Sequence, residues 1–398
     1  MTLKVLHVIP SLSLKRGGPS VAVVAMAKAL MREGVDVHIA TTNDNGDTVL
    51  DVNCDAWTTI DGVPCRYFKR WSAPIRALRE FSFSRSFNTW FRASAHSYDV
   101  IHVHALFSGI SSYAMLSARR TNIPYVIRSI GQLETWSLAQ SKFRKMLFLK
   151  LFEHSNLRHA RFIHCTAPSE ARAIASFDSS LNSRVIPLGI EDHFASTDFA
   201  SQKQAAQRAF RLVHGIDPQV QIVLFLARLH PKKGLEHLLK ALAKDANTSA
   251  IHLVVAGDGE QKYIDQLQGL AQELGLGQKC HFIGFVEGDT KCQTLLAADV
   301  YCLPSSNENF GISVLEALSA GCAAVVSSEV ALAHDIQSKG LGAVVEYSRL
   351  TKDLGPALHQ LLAQPSVLQE IGLRARKHAL EHYSWQAAAV KLKAAYQD

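Results

Sequence analysis

The feature that most constrains the fold is a repeated alternation of short apolar runs with segments of helical spacing. In the first half the runs cover residues 4–10, 36–42, 98–107, 124–130, 161–167 and 183–188. The second half repeats the scheme at residues 222–227, 251–256, 280–286, 299–303, 323–327 and 342–346. Strands that alternate with helices form parallel sheets covered by helices. The pattern therefore predicts an α/β protein of two doubly wound, Rossmann-like domains.

The length of the chain also favours two domains, because 398 residues exceed the usual size of a single core. The polar stretch Asp192–Gln207 separates the two series of strands, and we interpret it as the linker. We therefore expect one domain at 1–195 and a second at 196–383, facing each other across a cleft. Ligands of such sheets bind at the carboxyl ends of the strands.

Composition and charge exclude several classes of protein. Hydrophobic residues make up 47% and charged residues 19%, as in globular enzymes. No run approaches the roughly 18 apolar residues of a membrane span, and the N-terminal residues 1–10 are typical of a buried strand rather than a signal peptide. The seven cysteines show no CxxC spacing. We expect a cytoplasmic protein, and its net charge of +7 favours an anionic partner.

Two cations follow the first strand of the second series. The run 222–227 ends in Arg228, and Lys233-Gly234 precedes a segment with helical spacing. Cations beside a helix N-terminus, whose amides also attract anions, would suit a diphosphate. Solvated loop residues are the alternative interpretation.

Two carboxylates follow the fourth strand of this series. Glu308 lies in the predicted loop 304–309, and Glu316 lies about one turn into a helix that opens at Gly311 or Ile312. Two carboxylates can hold hydroxyl groups at opposite ends of a polyol, while helix N-terminal amides meet phosphate. An ordinary ion pair is again the alternative.

These segments together resemble the family-4 retaining glycosyltransferases of GT-B fold. The second half carries Arg228, Lys233-Gly234, Ala256-Gly257-Asp258-Gly259, Phe282-Ile283-Gly284-Phe285-Val286 and the segment 308–317 in the order and spacing of that family. The first half adds Arg16-Gly17-Gly18-Pro19, His102-Val103-His104 and the segment 185–190. Tyr383-Ser384-Trp385 precedes a last helix, at about 384–398, which in this fold crosses back to the first domain.

The resemblance implies a nucleotide sugar, most simply a UDP-hexose, as a substrate rather than a cofactor. Arg228 and Lys233 would neutralise the diphosphate, Glu308 would contact the donor sugar, and Glu316 would hold the ribose. Gly284, Phe285 and Val286 would border the base through main-chain contacts. The remaining expected donor contacts are Gly17, Gly18, Gly257, Asn309, Phe310, Gly311 and Ile312. The implied reaction retains the anomeric configuration.

We expect the reaction to need no metal. The sequence contains no Asp-x-Asp motif and no clustered metal-ligand spacing. Arg228, Lys233 and helix amides can stabilise the charge that builds on a leaving diphosphate.

One position departs from the family pattern. Related proteins often carry His or Arg where this chain has Ile130, just before Gly131. Ile130 offers no proton and no hydrogen bond, so His104, Arg128 and Gln132 are the candidates for acceptor contacts. We expect His102 and His104 to point to opposite faces of their strand, with His104 towards the cleft. A donor-binding but inactive partner subunit of a transferase is the alternative function.

The acceptor side carries a second expectation. Residues 65–94 and 142–152 mix basic and aromatic side chains, as in proteins that bind the anionic inner leaflet of a membrane. This suggests a saccharide or lipid-linked acceptor in bacterial surface-polysaccharide synthesis, although the aromatic residues could equally be core. A dinucleotide-dependent oxidoreductase would need a Gly-x-Gly-x-x-Gly after the first strand, and a nucleic-acid-binding protein would need a recognisable motif. The chain has neither.

Overall fold

The computed structural model describes residues 2–75, 79–133, 148–244 and 251–398, with only the backbone described at 150 and 151. The chain forms two compact domains. The first comprises Met1–Gly189 together with Trp385–Asp398, and the second comprises Ile190–Ser384.

The first domain is built on an eight-stranded sheet of order β10-β9-β8-β7-β1-β2-β6-β5. Its strands are β1 (Lys4–Ser11), β2 (Asp36–Thr42), β5 (Trp57–Ile60), β6 (Val63–Phe68), β7 (Val100–His104), β8 (Tyr125–Arg128), β9 (Phe162–Cys165) and β10 (Ser183–Val185); β3 (Asp44–Asn45) and β4 (Thr48–Val49) form a separate hairpin. The strands run parallel except at the β5–β6 pair. Its helices include α1 (Gly18–Arg32), α2 (Arg85–Ser94), α3 (Gly109–Arg120), α4 (His154–His159) and α5 (Pro168–Phe177).

The second domain is built on a six-stranded parallel sheet of order β13-β12-β11-β14-β15-β16. Its strands are β11 (Gln221–Leu226), β12 (Ile251–Ala256), β13 (Cys280–Gly284), β14 (Val300–Leu303), β15 (Ala323–Ser327) and β16 (Gly342–Val345). Its helices include α6 (Phe199–His214), α7 (Leu235–Lys244), α8 (Gln261–Glu273), α9 (Gly288–Ala297), α10 (Ile312–Ser319), α11 (Ala333–Ser338), α12 (Leu350–Leu362) and α13 (Pro365–His382). This is the doubly wound order 3-2-1-4-5-6, in which strands are added on one side of the first strand and then, from the fourth strand onwards, on its other side. The carboxyl ends of β11 and β14 therefore mark the place where a ligand is expected.

The last helix, α14 (Trp385–Gln397), belongs to the first domain and packs against α1. Lys393 Nζ donates a hydrogen bond to the carbonyl oxygen of Glu33 at 2.6 Å, and Arg161 donates to the carbonyl oxygen of Tyr396 at 2.5 Å. These contacts fasten the end of the chain to the first sheet.

The predicted linker is helical over about half of its length. The helix α6 begins at Phe199, and the side chain of Asp198 accepts a hydrogen bond from the Ser201 amide at 3.0 Å. A capping carboxylate followed by alanine, glutamine and lysine is a strong helix signal. Polarity alone therefore misled the prediction for Asp192–Gln207, because a surface helix can be as polar as a linker.

The strand β6 was also missed, since its residues were assigned to a basic and aromatic surface. It pairs with β2 on one side and β5 on the other, and its residues Val63, Cys65 and Phe68 are fully buried. The alternation of buried and partly exposed residues along Val63–Phe68 is the period-two signal that identifies a strand.

Candidate functional site

The loop that follows β11 places two cations at the strand end. Arg228 is exposed, and a short 3-10 turn over Pro231–Lys233 ends at Gly234 in a left-handed conformation, with φ of 74°. A Cβ atom at Gly234 would lie 2.2 Å from the carbonyl oxygen of Pro304. Only glycine permits this approach, so the loops after β11 and β14 lie in direct contact.

Backbone hydrogen bonds join these loops to their neighbours. The amide of Ser306 donates to the carbonyl oxygen of Lys232 at 2.8 Å, and the amide of Leu229 donates to that of Asp258 at 2.8 Å. The amide of Glu308 donates to the carbonyl oxygen of Glu329 at 2.9 Å. The loops after β11, β12, β14 and β15 thus form one connected rim, on which charged side chains hold defined positions.

Lys233 and Glu308 meet on this rim as an ion pair. Their side chains are 19% and 17% exposed, respectively, so both remain within reach of solvent and of a ligand. The sequence prediction gave them separate tasks, on a diphosphate and on a sugar. In the protein as described here they neutralise each other.

The electrostatic environment of the rim is positive. Burial lowers the pKa of His230 below its usual value, and the charges of Arg228, Lys232 and Lys233 lower it further. The three cations outnumber the carboxylates of Glu236 and Glu308 at this strand end, which favours an anion.

The helix α10 begins beside the rim. Its N-cap, Gly311, has φ of 87°, a conformation that favours glycine. The buried hydroxyl of Tyr301, on β14, lies 2.8 Å from Ser313 Oγ and donates to the carbonyl oxygen of Leu226 at 3.1 Å. Tyr301 therefore ties the first turn of the helix to β11, with the helix amides at the switch point.

Glu316 lies one turn into α10, as the sequence predicted. Its Oε1 accepts a hydrogen bond from Lys291 Nζ, on α9, at 2.6 Å. Sequence reasoning missed Lys291, because nothing in the spacing of residues 291 and 316 shows that their two helices meet.

The other donor candidates of this domain divide into two groups. Phe285 is 60% exposed and follows Gly284, whose φ is 74°, while Val286, Asn309 and Ile312 are half-buried. Gly257 lies against β11, since a Cβ atom there would be 1.9 Å from the carbonyl oxygen of Ala227. Phe310 is 5% exposed and packs edge-on against Tyr383, so its side chain belongs to the core and only its backbone lies on the rim.

Comparison with known proteins identifies the family of each half of the chain. Residues 17–189 match the family described as "Glycosyl transferase 4-like domain", and residues 206–378 match "Glycosyl transferases group 1". The two matches together cover most of the chain. The protein is a GT-B glycosyltransferase of the family-4 type.

Individual relatives agree with this family. The glycosyltransferase is 35% identical to an uncharacterized glycosyltransferase of Methanocaldococcus jannaschii over 180 residues, which span 45% of each chain. It is 26% identical over 400 residues to a D-inositol 3-phosphate glycosyltransferase of Corynebacterium jeikeium, covering 96% of this chain and 92% of that one. The structure of Anabaena HepE in complex with UDP and glucose superposes with a TM-score of 0.75 at 18% identity, covering 99% of both chains. This last likeness supports the GT-B fold of two Rossmann-like domains.

The glycine pair predicted in the first domain of the glycosyltransferase follows β1. Gly17 has φ of 80° and caps α1, and Gly18 is the first residue of that helix. Arg16 Nε donates to Asp44 Oδ2 at 2.7 Å, and the buried Arg70 also pairs with Asp44. The loop before the glycines is thereby anchored. A Cβ atom at Gly17 would meet open space, so packing does not require the glycine there.

The histidines of β7 contradict one expectation. His102 and His104 lie on the same face of the strand, with ring centroids 4.2 Å apart, because side chains two residues apart in a strand share a face. Both are fully buried in a cluster with His7, His164 and Arg128. His7 Nδ1 lies 2.8 Å from His104 Nε2, and His102 Nδ1 lies 2.7 Å from the hydroxyl of Tyr396. His104 and Arg128 thus belong to a buried histidine cluster and have no access to an acceptor.

This histidine cluster is held in its neutral form. Burial lowers the pKa of His7 and of His164 to about 3, and the charge of Arg128 contributes. Among the described residues, His7, His102 and His104 form the one His, Cys, Asp or Glu group close enough to share a metal ion. The hydrogen bond between His7 and His104 uses two of the ring nitrogens, and the buried guanidinium of Arg128 disfavours a second cation.

The segment with Ile130 adopts an uncommon backbone. Ile130 has φ of 54°, and Ala105 and Phe107, after β7, have φ of 70° and 55°. A β-branched residue at positive φ is strained. The buried Glu170 holds the segment by accepting from Ser129 Oγ at 2.8 Å and from the Gly131 amide at 2.9 Å. Gln132, which is half-buried, accepts from the Leu106 amide through Oε1.

The expected basic and aromatic surface is only partly a surface. Of the aromatic residues at 65–94, only Trp71 is exposed by more than a third, while Tyr67, Phe68, Phe87 and Phe91 are buried. Arg70 is buried against Asp44, and Arg66 stacks over Phe68 and Trp90. Arg76 and the predicted residues at 142–147 lie outside the described residues. No helix in the described part of the chain is both long and apolar enough to cross a membrane.

Proposed function

We propose that this glycosyltransferase transfers a hexose from a nucleotide diphosphate sugar, UDP-glucose or a related UDP-hexose, to a saccharide or lipid-linked acceptor, with retention of configuration. The observation that carries the proposal is the charged rim at the switch point of the second domain. Arg228, Lys233, the α10 amides, Glu308 and Glu316 all lie on the loops and helices that follow β11 and β14.

The diphosphate is assigned to the cationic side of this rim. Arg228 is exposed and has no hydrogen bond or ion pair within the described residues, so it can turn to a ligand without breaking one. Lys233 would exchange part of its pairing with Glu308 for a phosphate oxygen. Both charges and the first amides of α10 would then stabilise the departing diphosphate.

The sugar and ribose are assigned to the two carboxylates. Glu308, released from full pairing with Lys233, would accept hydrogen bonds from hydroxyls of the transferred hexose, and Glu316 would accept from the ribose. The choice of UDP and of a hexose is supported by the Anabaena protein of the same fold, whose structure contains UDP and glucose. Gly284, Phe285 and Val286 would border the base through main-chain contacts.

The test is to incubate the purified protein with a panel of nucleotide sugars and to measure release of the nucleoside diphosphate, with Arg228→Ala as the comparison. We expect release from UDP-hexoses and at least tenfold less from the variant. The proposal would be refuted if no nucleotide sugar raised the thermal midpoint of the protein and the protein released no UDP.

Metal independence is part of the proposal, because the cations of the rim and the helix amides can perform the electrostatic work of a divalent ion. Transfer should persist in excess chelator. Loss of transfer in chelator, restored by Mg²⁺ or Mn²⁺, would show that the proposal is wrong on this point.

Retention and the acceptor need separate measurements. In a retaining reaction the departing phosphate oxygen can take the proton of the acceptor, so no dedicated base is needed, and NMR of the product would show the configuration. Gln132 is the acceptor candidate with solvent access. Acceptors to compare are lipid-linked saccharides, free saccharides and inositol 3-phosphate, the last because of the corynebacterial relative. Co-sedimentation with anionic liposomes at low salt tests membrane binding through exposed residues such as Trp71.

An inactive, donor-binding subunit is the second candidate. The strained Ile130, where relatives often carry His or Arg, favours it. Such a subunit would bind a UDP-hexose but release no UDP from it in the presence or absence of acceptors, and restoring a polar residue with Ile130→His would then increase release.

A further inference from the structure

Lys291 connects two helices to which the proposed donor site gives different tasks. It lies in the first turn of α9, which begins at Gly288, directly after the segment 284–286 that would border the base. Its Nζ donates to Glu316 Oε1 at 2.6 Å, and Glu316 lies on α10. One ion pair therefore joins the base side of the second domain to the carboxylate assigned to the ribose.

The pairing leaves half of the carboxylate available. Among the described residues, Glu316 Oε2 has no hydrogen-bond partner, and the side chains of Lys291 and Glu316 are 30% and 20% exposed. A carboxylate can accept several hydrogen bonds at once. Lys291 can thus remain in place on Oε1 while Oε2 receives a hydroxyl.

Lys291 also restricts a flexible side chain. A glutamate without a partner samples several rotamers, and ordering it on binding costs affinity. The hydrogen bond from the Lys291 ammonium group fixes the Glu316 rotamer before the ligand arrives.

We propose that Lys291 is a positioning residue for ribose recognition: it holds Glu316 so that Oε2 is presented to the ribose hydroxyls of the nucleotide. This inference rests on the proposed function of the second domain. On this inference, the Lys291 and Glu316 pair determines the preference for ribose over a sugar that lacks both hydroxyls.

The experiment measures, by calorimetry, the binding of UDP and of 2′,3′-dideoxy-UDP. Each ligand is tested with the full chain, with the single variants Lys291→Met, Lys291→Arg and Glu316→Gln, and with the double variant that combines Lys291→Met and Glu316→Gln. Lys262→Met, at an exposed lysine on α8, is the matched control. We expect Lys291→Met to weaken UDP binding about fivefold to tenfold, the range expected for immobilising one such side chain. Binding of the dideoxy compound should be unchanged, Lys291→Arg should restore most of the loss, and the double variant should bind UDP as Glu316→Gln does.

Kinetics give a second measurement. With a UDP-hexose, Lys291→Met should raise KM for the donor by a similar factor and leave kcat nearly unchanged, since the ribose is remote from the reacting bond.

Two results would overturn the inference while the proposed function stands. One is unchanged UDP binding by Lys291→Met. The other is an equal loss for UDP and the dideoxy compound, which would show that Lys291 acts on the diphosphate directly. If the unaltered chain binds no UDP, the proposed function fails and the inference fails with it. Circular dichroism on each variant separates these results from misfolding.

Discussion

The two domains of this glycosyltransferase have related parallel sheets and place their charged residues in opposite ways. Around the switch point of the second domain, β11, β14 and β15 bury apolar side chains together with Tyr301 and Ser327, and the charged residues lie on the loops beyond the strands. The first domain buries four histidines and Arg128 within its strands. Charged side chains on the rim of the second domain are therefore available to a ligand, whereas the histidines and Arg128 buried in the first sheet make that fold sensitive to protonation.

Acid should have the largest effect and should separate the domains. The folded first domain keeps His7 and His164 neutral with pKa values of about 3, and those of His102 and His104 also lie well below the usual 6.5. Between pH 6.5 and about 3 the unfolded chain binds more protons than the folded one, so stability falls as pH falls through this window. We expect the first domain to unfold before the second.

Tryptophan fluorescence can measure this, because residues 190–384, which form the second domain, contain no tryptophan. As the pH is lowered, the fluorescence transition should be complete before the circular dichroism transition, which also reports the second domain. Arg128→Met should shift it to lower pH, because the charge of Arg128 lowers all four histidine pKa values, whereas His252→Gln in the second domain should not move it. Coincident transitions by both probes would contradict the comparison.

Lys233→Ala, in the second domain, should reduce activity strongly and stability very little. Removing a cation that stabilises a leaving group costs about 10²- to 10³-fold in kcat, as for other donors to developing charge. The thermal midpoint should hardly change, since an ion pair with solvent access contributes on the order of 1 kcal/mol or less. UDP release at saturating donor is the measurement, with Lys262→Ala as the control; activity within threefold of the unaltered protein would remove Lys233 from the proposed site.

A pair of glycine variants compares the two candidate binding loops. Gly257→Ala would place a Cβ atom 1.9 Å from the carbonyl oxygen of Ala227, so the ends of β11 and β12 must separate, at a cost of about 3 kcal/mol. Gly17→Ala has open space and retains only the strain of a backbone with φ of 80° and ψ of −154°, about 1 to 2 kcal/mol. Urea unfolding would measure both, and equal losses would show that packing does not distinguish the loops.

Tyr396→Phe is expected to have a small effect that is confined to the first domain. It removes the hydrogen bond to His102 and should lower the stability of the first domain by about 1 to 2 kcal/mol, since a buried ring nitrogen loses its partner. The fluorescence-monitored urea midpoint is the measurement, and Tyr347→Phe, at a partly exposed tyrosine of the second domain, is the control. An unchanged midpoint would mean that α14 is held by its other contacts.

Continuous apolar runs located every strand of the two large sheets except β5 and β6, because a strand buried on both faces leaves such a run. The two missed strands leave no such run, because no residue of β5 is buried and because the buried residues of β6 alternate with the partly buried Pro64 and Arg66. The stretch Asp192–Gln207 shows the opposite error, because its polarity was read as a linker although α6 begins within it. Helix capping and helix propensity identify such a helix, whereas polarity does not.

The sequence by itself determined the two Rossmann-like domains and the positions of Arg228, Lys233, Glu308 and Glu316, because strand ends and helix starts are encoded locally. Three sets of contacts appear only once the chain is folded: Lys233 meets Glu308, Lys291 meets Glu316, and His7, His102, His104 and His164 form one buried cluster. These contacts join residues up to 157 positions apart. The physical reason is that the pairing of parallel strands and the packing of helices bring such side chains together, and no local spacing in the chain records which strands and helices will become neighbours.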